Sequence, residues 1–332
     1  MVVKKVRPKR ATLQDIAREA GVSITTVSYV LNGTGAVGAE MSKRIRATAK
    51  RMKYRANHSA KATRTGKTRT IGLILPDLTN PFFPLLAQSI QQSANEADYA
   101  VFLVDACNSV DGERVGAQDL LARGTDGIIW CPTSGSDSLA ALRDEIPIVV
   151  VDRPMPDYDS VAADAYEGAR QLACHLVEMG HTHVGVVTGP LTLASAQARC
   201  DGFVDHFNGP ASVDWRVENP FSIHLTDATR ECLRNSRSTA IVCGNDLIAL
   251  GVMRFLHESG LRIPDDVSVV GFDDISWASF TTPNLTTVRQ PFSALGKKAF
   301  ELLARRMDGD DSPRTLLRLD MSVASRDSLR RI

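Results

Sequence analysis

Charge is distributed along this chain in a way that rules out one homogeneous body. Residues 1–69 hold 17 Lys and Arg against 3 Asp and Glu, a net of +14. The other 263 residues hold 22 basic and 35 acidic groups, a net of −13, so the total of +1 conceals two bodies of opposite sign. A basic segment joined to an acidic one calls for a polyanion such as DNA as partner of the first, and for something else as partner of the second.

The rest of the composition narrows the classes. At 332 residues the chain has room for two or three domains, and 43% apolar with 23% charged residues is ordinary for a soluble protein. No apolar run reaches the roughly 18–20 residues of a membrane span. The start, MVVKKVRPKR, carries charge with no apolar stretch after it, so no signal peptide is expected. Cysteines at 107, 131, 174, 200, 232 and 243 form no CxxC pair and suit reduced thiols in a cytoplasmic protein. Gly33, Gly35 and Gly38 match a dinucleotide fingerprint in spacing, but they follow a helix pattern and not a strand, so they read as a loop. His181 and His183 read as surface histidines without a third metal ligand. No GxSxG, HExxH or P-loop occurs. No enzyme activity, cofactor, metal or membrane partner is expected.

Within the basic segment, Thr12 to Gly21 has helix punctuation at both ends. Thr12 can cap, Asp15 completes a capping box, and Gly21 suits the left-handed position after a helix. Leu13, Ile16, Ala17 and Ala20 form an apolar stripe. Ser23 can cap a second helix, in which Ile24, Val27, Val30 and Leu31 are expected inside and Thr25, Ser28, Tyr29 and Asn32 outside. Two short helices on a tight glycine-containing turn make a helix-turn-helix. A third helix is expected from about Glu40 to Lys53, with Met41, Ile45, Ala49 and Met52 inside and Lys43, Arg44, Arg46, Lys50 and Arg51 on its other faces.

From Thr70 the pattern becomes α/β. TIGLILPD, YAVFLVDA, GIIWCP, IPIVVVDR, HVGVVTG, TAIVCGND and VSVVGFDD read as buried parallel strands, with amphipathic helices between them. About 260 residues exceed one doubly wound sheet, so two similar subdomains fit. Ligands of such sheets bind past the C-terminal strand ends. Asp77, Asn80, Asp152, Arg153, Asn245, Asp246 and Asp273 all fall there. Asp152, Asn245 and Asp273 could instead only cap helices.

At these residues the chain closely resembles the LacI–GalR family of bacterial repressors. ATLQDIAREAGVSITTVSYVLNG is similar to the family's N-terminal signature, and ANHSAKATRTGKTRTIGLILPD to its hinge and entry to the core. NPFF, VVDRP, RCDGF, GNDLIALG, GFDD and LTTVRQP follow in family order. The resemblance implies a helix-turn-helix headpiece at 1–56, a hinge helix and linker at 57–69, and a two-subdomain core of the periplasmic sugar-binding type at 70–332. Subdomain 1 would take about 70–161 plus 292–319, and subdomain 2 about 162–288 plus 320–332. It also implies a homodimer on palindromic double-stranded operator DNA, answering to a small molecule. Base-reading positions fall on Ile24, Thr25 and Tyr29, the last standing where the family commonly has Arg. Thr12, Ser23, Thr26, Ser28 and Asn32 would hold phosphates and set register. Asn57, Lys61, Thr63 and Arg64 would enter the minor groove, with Thr63 where the family usually has a Leu wedge.

Carried over in the same way, the effector pocket is Asn80, Phe82, Phe83, Asp152, Arg153, Arg199, Phe221, Asn245, Asp273 and Gln290. Two Asp against two Arg suit a neutral ligand, and Asp, Arg, Asn and Gln suit hydroxyls that both donate and accept. The set resembles ribose repressors, so D-ribose is the expected effector of a sugar-operon repressor. A purine-type corepressor system is the alternative, although Leu193 stands where another polar partner would be wanted. A transport protein or enzyme on the same core is a more distant one.

Overall fold

A computed structural model describes residues 11–33, 35–54, 66–207 and 211–332. The hinge candidates Asn57, Lys61, Thr63 and Arg64 lie outside the described residues. The chain forms two compact units, Met1–Gly66 and Lys67–Ile332.

The first unit holds three helices: α1 (Leu13–Ala20), α2 (Ile24–Asn32) and α3 (Ala39–Arg51). The Thr12 hydroxyl accepts from the Asp15 amide and the Asp15 carboxylate accepts from the Thr12 amide, which closes the capping box. Gly21 and Gly33 end α1 and α2 at φ of 61° and 70°, where a Cβ would be strained. Ser23 caps α2 through the Thr26 amide. Ile16, Ala17, Ala20, Val27, Val30, Ile45 and Ala49 form the core. Arg44 and Arg46 donate to Ala20 O and Val30 O, so α3 satisfies carbonyls late in both other helices. Ile24 was expected inside and is exposed instead, at 47%. The buried stripe of α2 begins only at Val27, because the first turn overhangs the small bundle.

The second unit is built on two six-stranded sheets. The first runs β11-β5-β4-β3-β1-β2, with β1 (Thr70–Leu75), β2 (Ala100–Asp105), β3 (Gly127–Trp130), β4 (Ile148–Val151), β5 (Asp159–Ala163) and β11 (Leu316–Leu319). The second runs β12-β10-β9-β8-β6-β7, with β6 (His183–Thr188), β7 (Ser212–Glu218), β8 (Ala240–Cys243), β9 (Ser268–Asp273), β10 (Thr286–Arg289) and β12 (Ser322–Ala324). The strand orders correspond position by position. All pairings are parallel except β10 with β12. Helices α4 (Phe82–Glu96), α5 (Val110–Ala122) and α10 (Phe292–Met307) pack on the first sheet. Helices α6 (Ala165–Glu178), α7 (Ala194–His206), α8 (Asp227–Asn235) and α9 (Asp246–Glu258) belong to the second.

The chain passes between the sheets after Ala163, after Arg289 and between Leu319 and Ser322. Ala162 and Ala163, expected in the second subdomain, pair with β11 in the first sheet, and Arg289 still pairs with β9. Residues 67–69, expected as linker, are fastened to the core. Lys67 pairs with Asp308 at 2.6 Å, the Thr68 and Arg69 amides donate to the Asp126 carboxylate, and Arg69 lies over the Tyr99 ring.

Two further expectations fail on position in the fold. β2 was read as buried but is an edge strand, with Phe102 and Leu103 exposed. His181 was read as a surface residue but is fully buried between the Thr239 hydroxyl and Arg330 O. Burial pushes its pKa down, which keeps the ring neutral.

Helices α6 and α7 approach closely because Gly202 has no side chain: a Cβ there would fall 2.3 Å from Tyr166 O. Gly202→Ala should therefore destabilise the core by about 1–3 kcal/mol through overpacking, read as a lower urea midpoint at unchanged slope. A midpoint equal to wild type would mean the two helices separate freely.

Candidate functional site

The charged candidates gather at or just past the C-terminal ends of parallel strands in both sheets. β4 delivers Asp152 and Arg153, β8 delivers Gly244 and Asn245, β9 ends in Asp273, and β10 leads into Gln290. Arg199 comes from α7. Asn80, Phe82, Phe83, Asp152, Arg153, Arg199, Asn245, Asp273 and Gln290 are all buried, and Phe221 is half-buried.

Arg199 is the most connected of them. One guanidinium nitrogen pairs with Asp273 Oδ1 at 3.0 Å and another donates to Gly244 O at 2.8 Å. Its plane lies 4.1 Å from the Phe272 ring centroid and 5.9 Å from that of Phe221. A Cβ on Gly189 would fall 2.2 Å from the Phe221 ring, and one on Gly244 would fall 2.7 Å from the Gly189 amide nitrogen, so the first glycine makes room for that ring and the second for the neighbouring backbone. Gln290 donates to Asp273 Oδ1 at 3.1 Å. In the first sheet Arg153 donates to Pro132 O at 2.6 Å, sits 3.6 Å from Asp152 and lies over the Phe83 ring.

The two halves act on each other electrostatically. Burial pushes Asp152 above the ordinary carboxylate range, against the pull of Arg153 and of Arg199 from the other sheet. Burial pushes Asp273 up to about 6, opposed by Arg199 and Gln290 and assisted by Asp152. Both aspartates have positive φ, 68° for Asp152 and 113° for Asp273, a strained backbone that concentrates at functional sites.

Among the described residues, five buried side-chain polar atoms lack a hydrogen-bond partner. Four of them are Thr133 Oγ1, Arg153 Nε, Arg199 Nε and Gln290 Oε1, all of this cluster. Native interiors rarely leave such atoms unpaired, because each costs about 1–3 kcal/mol. Two N–H donors, one carbonyl acceptor and one hydroxyl thus stand available among four balanced charges.

Other candidates have local tasks. Asn245 caps α9 by accepting from the Ile248 amide, and Asn80 Oδ1 accepts from the Phe82 amide. Phe82 and Phe83 pack edge to face in the core of the first sheet. Asp77 accepts from Thr79, outside the buried cluster. Asp246 is fully buried, accepts from Thr287 and the Ile275 amide, and is pushed well above its usual range by burial. Thr133 was missed in the sequence, although it lies three residues past the end of β3.

On the first unit, Ile24, Thr25, Tyr29 and Asn32 line an exposed face of α2, with Thr26 and Ser28 half-buried. The Thr12 and Ser23 hydroxyls serve their caps, and Asn32 donates to Ser28. Gly35 lies against Tyr29: a Cβ there would fall 2.6 Å from the ring. Lys43 and Lys50 are exposed, while Arg51 pairs with Glu19.

Residues 68–321 match the family of periplasmic binding proteins and the sugar-binding domain of the LacI family, and residues 12–57 match the bacterial regulatory proteins of the lacI family. The transcriptional repressor PurR of Aliivibrio salmonicida is 30% identical over 97% of this chain and 100% of its own. PurR of Photorhabdus laumondii is 32% identical over 90% of each chain. The lac repressor dimer bound to operator and the anti-inducer ONPF matches with a TM-score of 0.85 at 28% identity, over 96% of this chain and 99% of that one. A LacI-family regulator from Enterococcus faecalis with bound ribose matches at a TM-score of 0.69 and 28% identity, over 79% of this chain and 99% of its own.

The raised pKa of Asp273 gives a signed expectation. The folded state holds its proton up to about pH 6, whereas the unfolded chain releases it near pH 4. The stabilising contribution is therefore present below pH 4 and lost as pH rises through about 6. The stability of wild type relative to Asp273→Asn should fall by about 2–3 kcal/mol between pH 4 and pH 7 without ligand, measured by denaturant titration. A difference independent of pH would mean that Asp273 titrates normally.

Proposed function

We propose that this chain, which belongs to the LacI family of bacterial regulatory proteins, is a DNA-binding transcriptional repressor whose operator affinity is set by D-ribose held between the two sheets of its core. The observation that carries the effector reading is the cluster of four buried atoms without a hydrogen-bond partner among two Asp and two Arg. Balanced charge disfavours a phosphate or carboxylate ligand. Sugar hydroxyls, which donate and accept at once, satisfy Arg N–H groups, the Gln290 carbonyl and the aspartates together. Phe83 and Phe221, each beneath an arginine, offer apolar faces to a sugar ring. The ribose-bound relative supports the same choice.

A purine corepressor is the second reading, favoured by the PurR relatives, which align over nearly the full length. A planar base would use the same donors and acceptors.

For the headpiece, α2 lies in the major groove, with Ile24, Thr25 and Tyr29 toward base edges and Thr12, Ser23, Thr26, Ser28 and Asn32 toward phosphates. Asn57, Lys61, Thr63 and Arg64 serve the minor groove. The working unit is a homodimer that presents two headpieces to a palindrome. Exposed Trp277, Phe280 and Leu261 on the second unit supply apolar surface for pairing; Phe280 is 83% exposed.

DNA binding should weaken steeply with salt, with a log–log slope of roughly −5 to −10 per dimer. Tyr29→Ala should relax discrimination at particular base pairs. A flat salt dependence removes the DNA-binding claim, and an unchanged preference in Tyr29→Ala makes Tyr29 a spacer.

Calorimetric titration of the full chain should give heat with D-ribose. Arg199→Ala should cost about 2–4 kcal/mol of ligand binding and leave ligand-free DNA affinity near wild type. Binding of a purine base and not of ribose selects the second reading. Absence of binding across a broad sugar and nucleobase panel sinks the pocket.

A further inference from the structure

We infer that Glu113, on α5, is a positioning residue that fixes the Arg153 guanidinium through a single peptide group. The inference rests on reading the buried cluster as the effector site. Glu113 is fully buried. Its Oε1 accepts from Trp130 Nε1 at 3.0 Å and from the Thr133 amide at 2.5 Å, and its Oε2 accepts from Ser138 Oγ. No cation pairs with it directly among the contacts of the described residues. A buried carboxylate so placed is costly unless some other positive group compensates it.

The compensating group sits one peptide away. The Thr133 N–H and the Pro132 C=O belong to the same planar amide. The N–H donates to Glu113, and the C=O accepts from Arg153 Nη1 at 2.6 Å. A carboxylate at the donor end and a guanidinium at the acceptor end both align with the peptide dipole. Each hydrogen bond polarises the amide in the sense that strengthens the other. The peptide plane cannot turn without loosening both, so Glu113 holds Arg153 although the two side chains do not touch. The thiol of Cys131, one residue before this peptide, stands 4.0 Å from Asp152 Oδ2. The guanidinium so held includes Arg153 Nε, one of the four buried atoms without a hydrogen-bond partner. Trp130 and Ser138 hold the carboxylate from its other sides. A ligand bonded to Arg153 therefore meets a group already oriented, and loses less in ordering it.

The test uses full-length wild type, Glu113→Gln, Arg153→Ala and the double variant. Ribose affinity is measured by calorimetry, and guanidinium mobility by side-chain nitrogen NMR with Arg199 as internal reference. Glu113→Gln places an amide N–H against existing donors. It should weaken ribose binding roughly 10- to 100-fold, the loss of one hydrogen bond to a charged group. In the Arg153→Ala background the same change should add less than about twofold, because both act through one unit. Exchange of the Arg153 N–H protons should speed up in Glu113→Gln while Arg199 stays unchanged. Should the Gln variant fail to fold, Glu113→Asp, which keeps the charge but shortens the reach, carries the same comparison. Equal losses in both backgrounds, or Arg153 signals identical to wild type, overturn the inference. If wild type ignores ribose, the effector reading fails by itself, and the Arg153 exchange rates still decide the role of Glu113.

Discussion

Asp152, Arg153, Arg199 and Asp273 are four charges removed from water, and their mutual compensation is the condition on which the core depends. In a buried site a lone carboxylate or guanidinium is costly, and removing one member of a pair leaves the other uncompensated. The surrounding features read as ways of meeting that condition. Arg199 donates to the Gly244 carbonyl. Gln290 donates a further hydrogen bond to Asp273, and the Pro132 carbonyl accepts one from Arg153. Asp152 and Asp273 accept strained backbone to stand where they do.

Compensation is incomplete, and four buried polar atoms of the cluster have no hydrogen bond. The Arg199–Asp273 pair is satisfied on one side and open at Nε; Gln290 donates but its carbonyl is idle. Groups from both sheets share the cluster, and only three chain passages join those sheets. A ligand bonded to both halves would favour one arrangement of them over another. The effect on any distant site is limited to the difference in its affinity for the two arrangements.

Much of this was legible in the residues. Caps at Thr12 and Ser23, and the glycines ending α1 and α2, follow from local hydrogen bonding and from the φ that Gly alone adopts without strain. Apolar runs ending in Asp or Asn marked β1, β4, β8 and β9, because a strand buried on both faces must be apolar throughout. Short or half-exposed strands escaped notice. β7 alternates in burial, while β11 and β12 span four and three residues, too few for a pattern to declare itself.

Misjudged burial had one common origin. β2 has the same apolar composition as its neighbours, but its place at the sheet edge leaves Phe102 and Leu103 exposed. His181 is polar by type, yet partners 58 and 149 residues away make its burial tolerable. Ile24 belongs to the apolar stripe by spacing, but nothing covers the first turn of α2 among the described residues of its unit. The sequence alone determined the charge segregation, the helix punctuation, the strand–helix alternation and the residue types at the strand ends, because each is set by near neighbours. Only the tertiary structure decided which ends converge, which strands lie at an edge and which polar atoms remain without a partner, because those depend on groups brought together from distant parts of the chain.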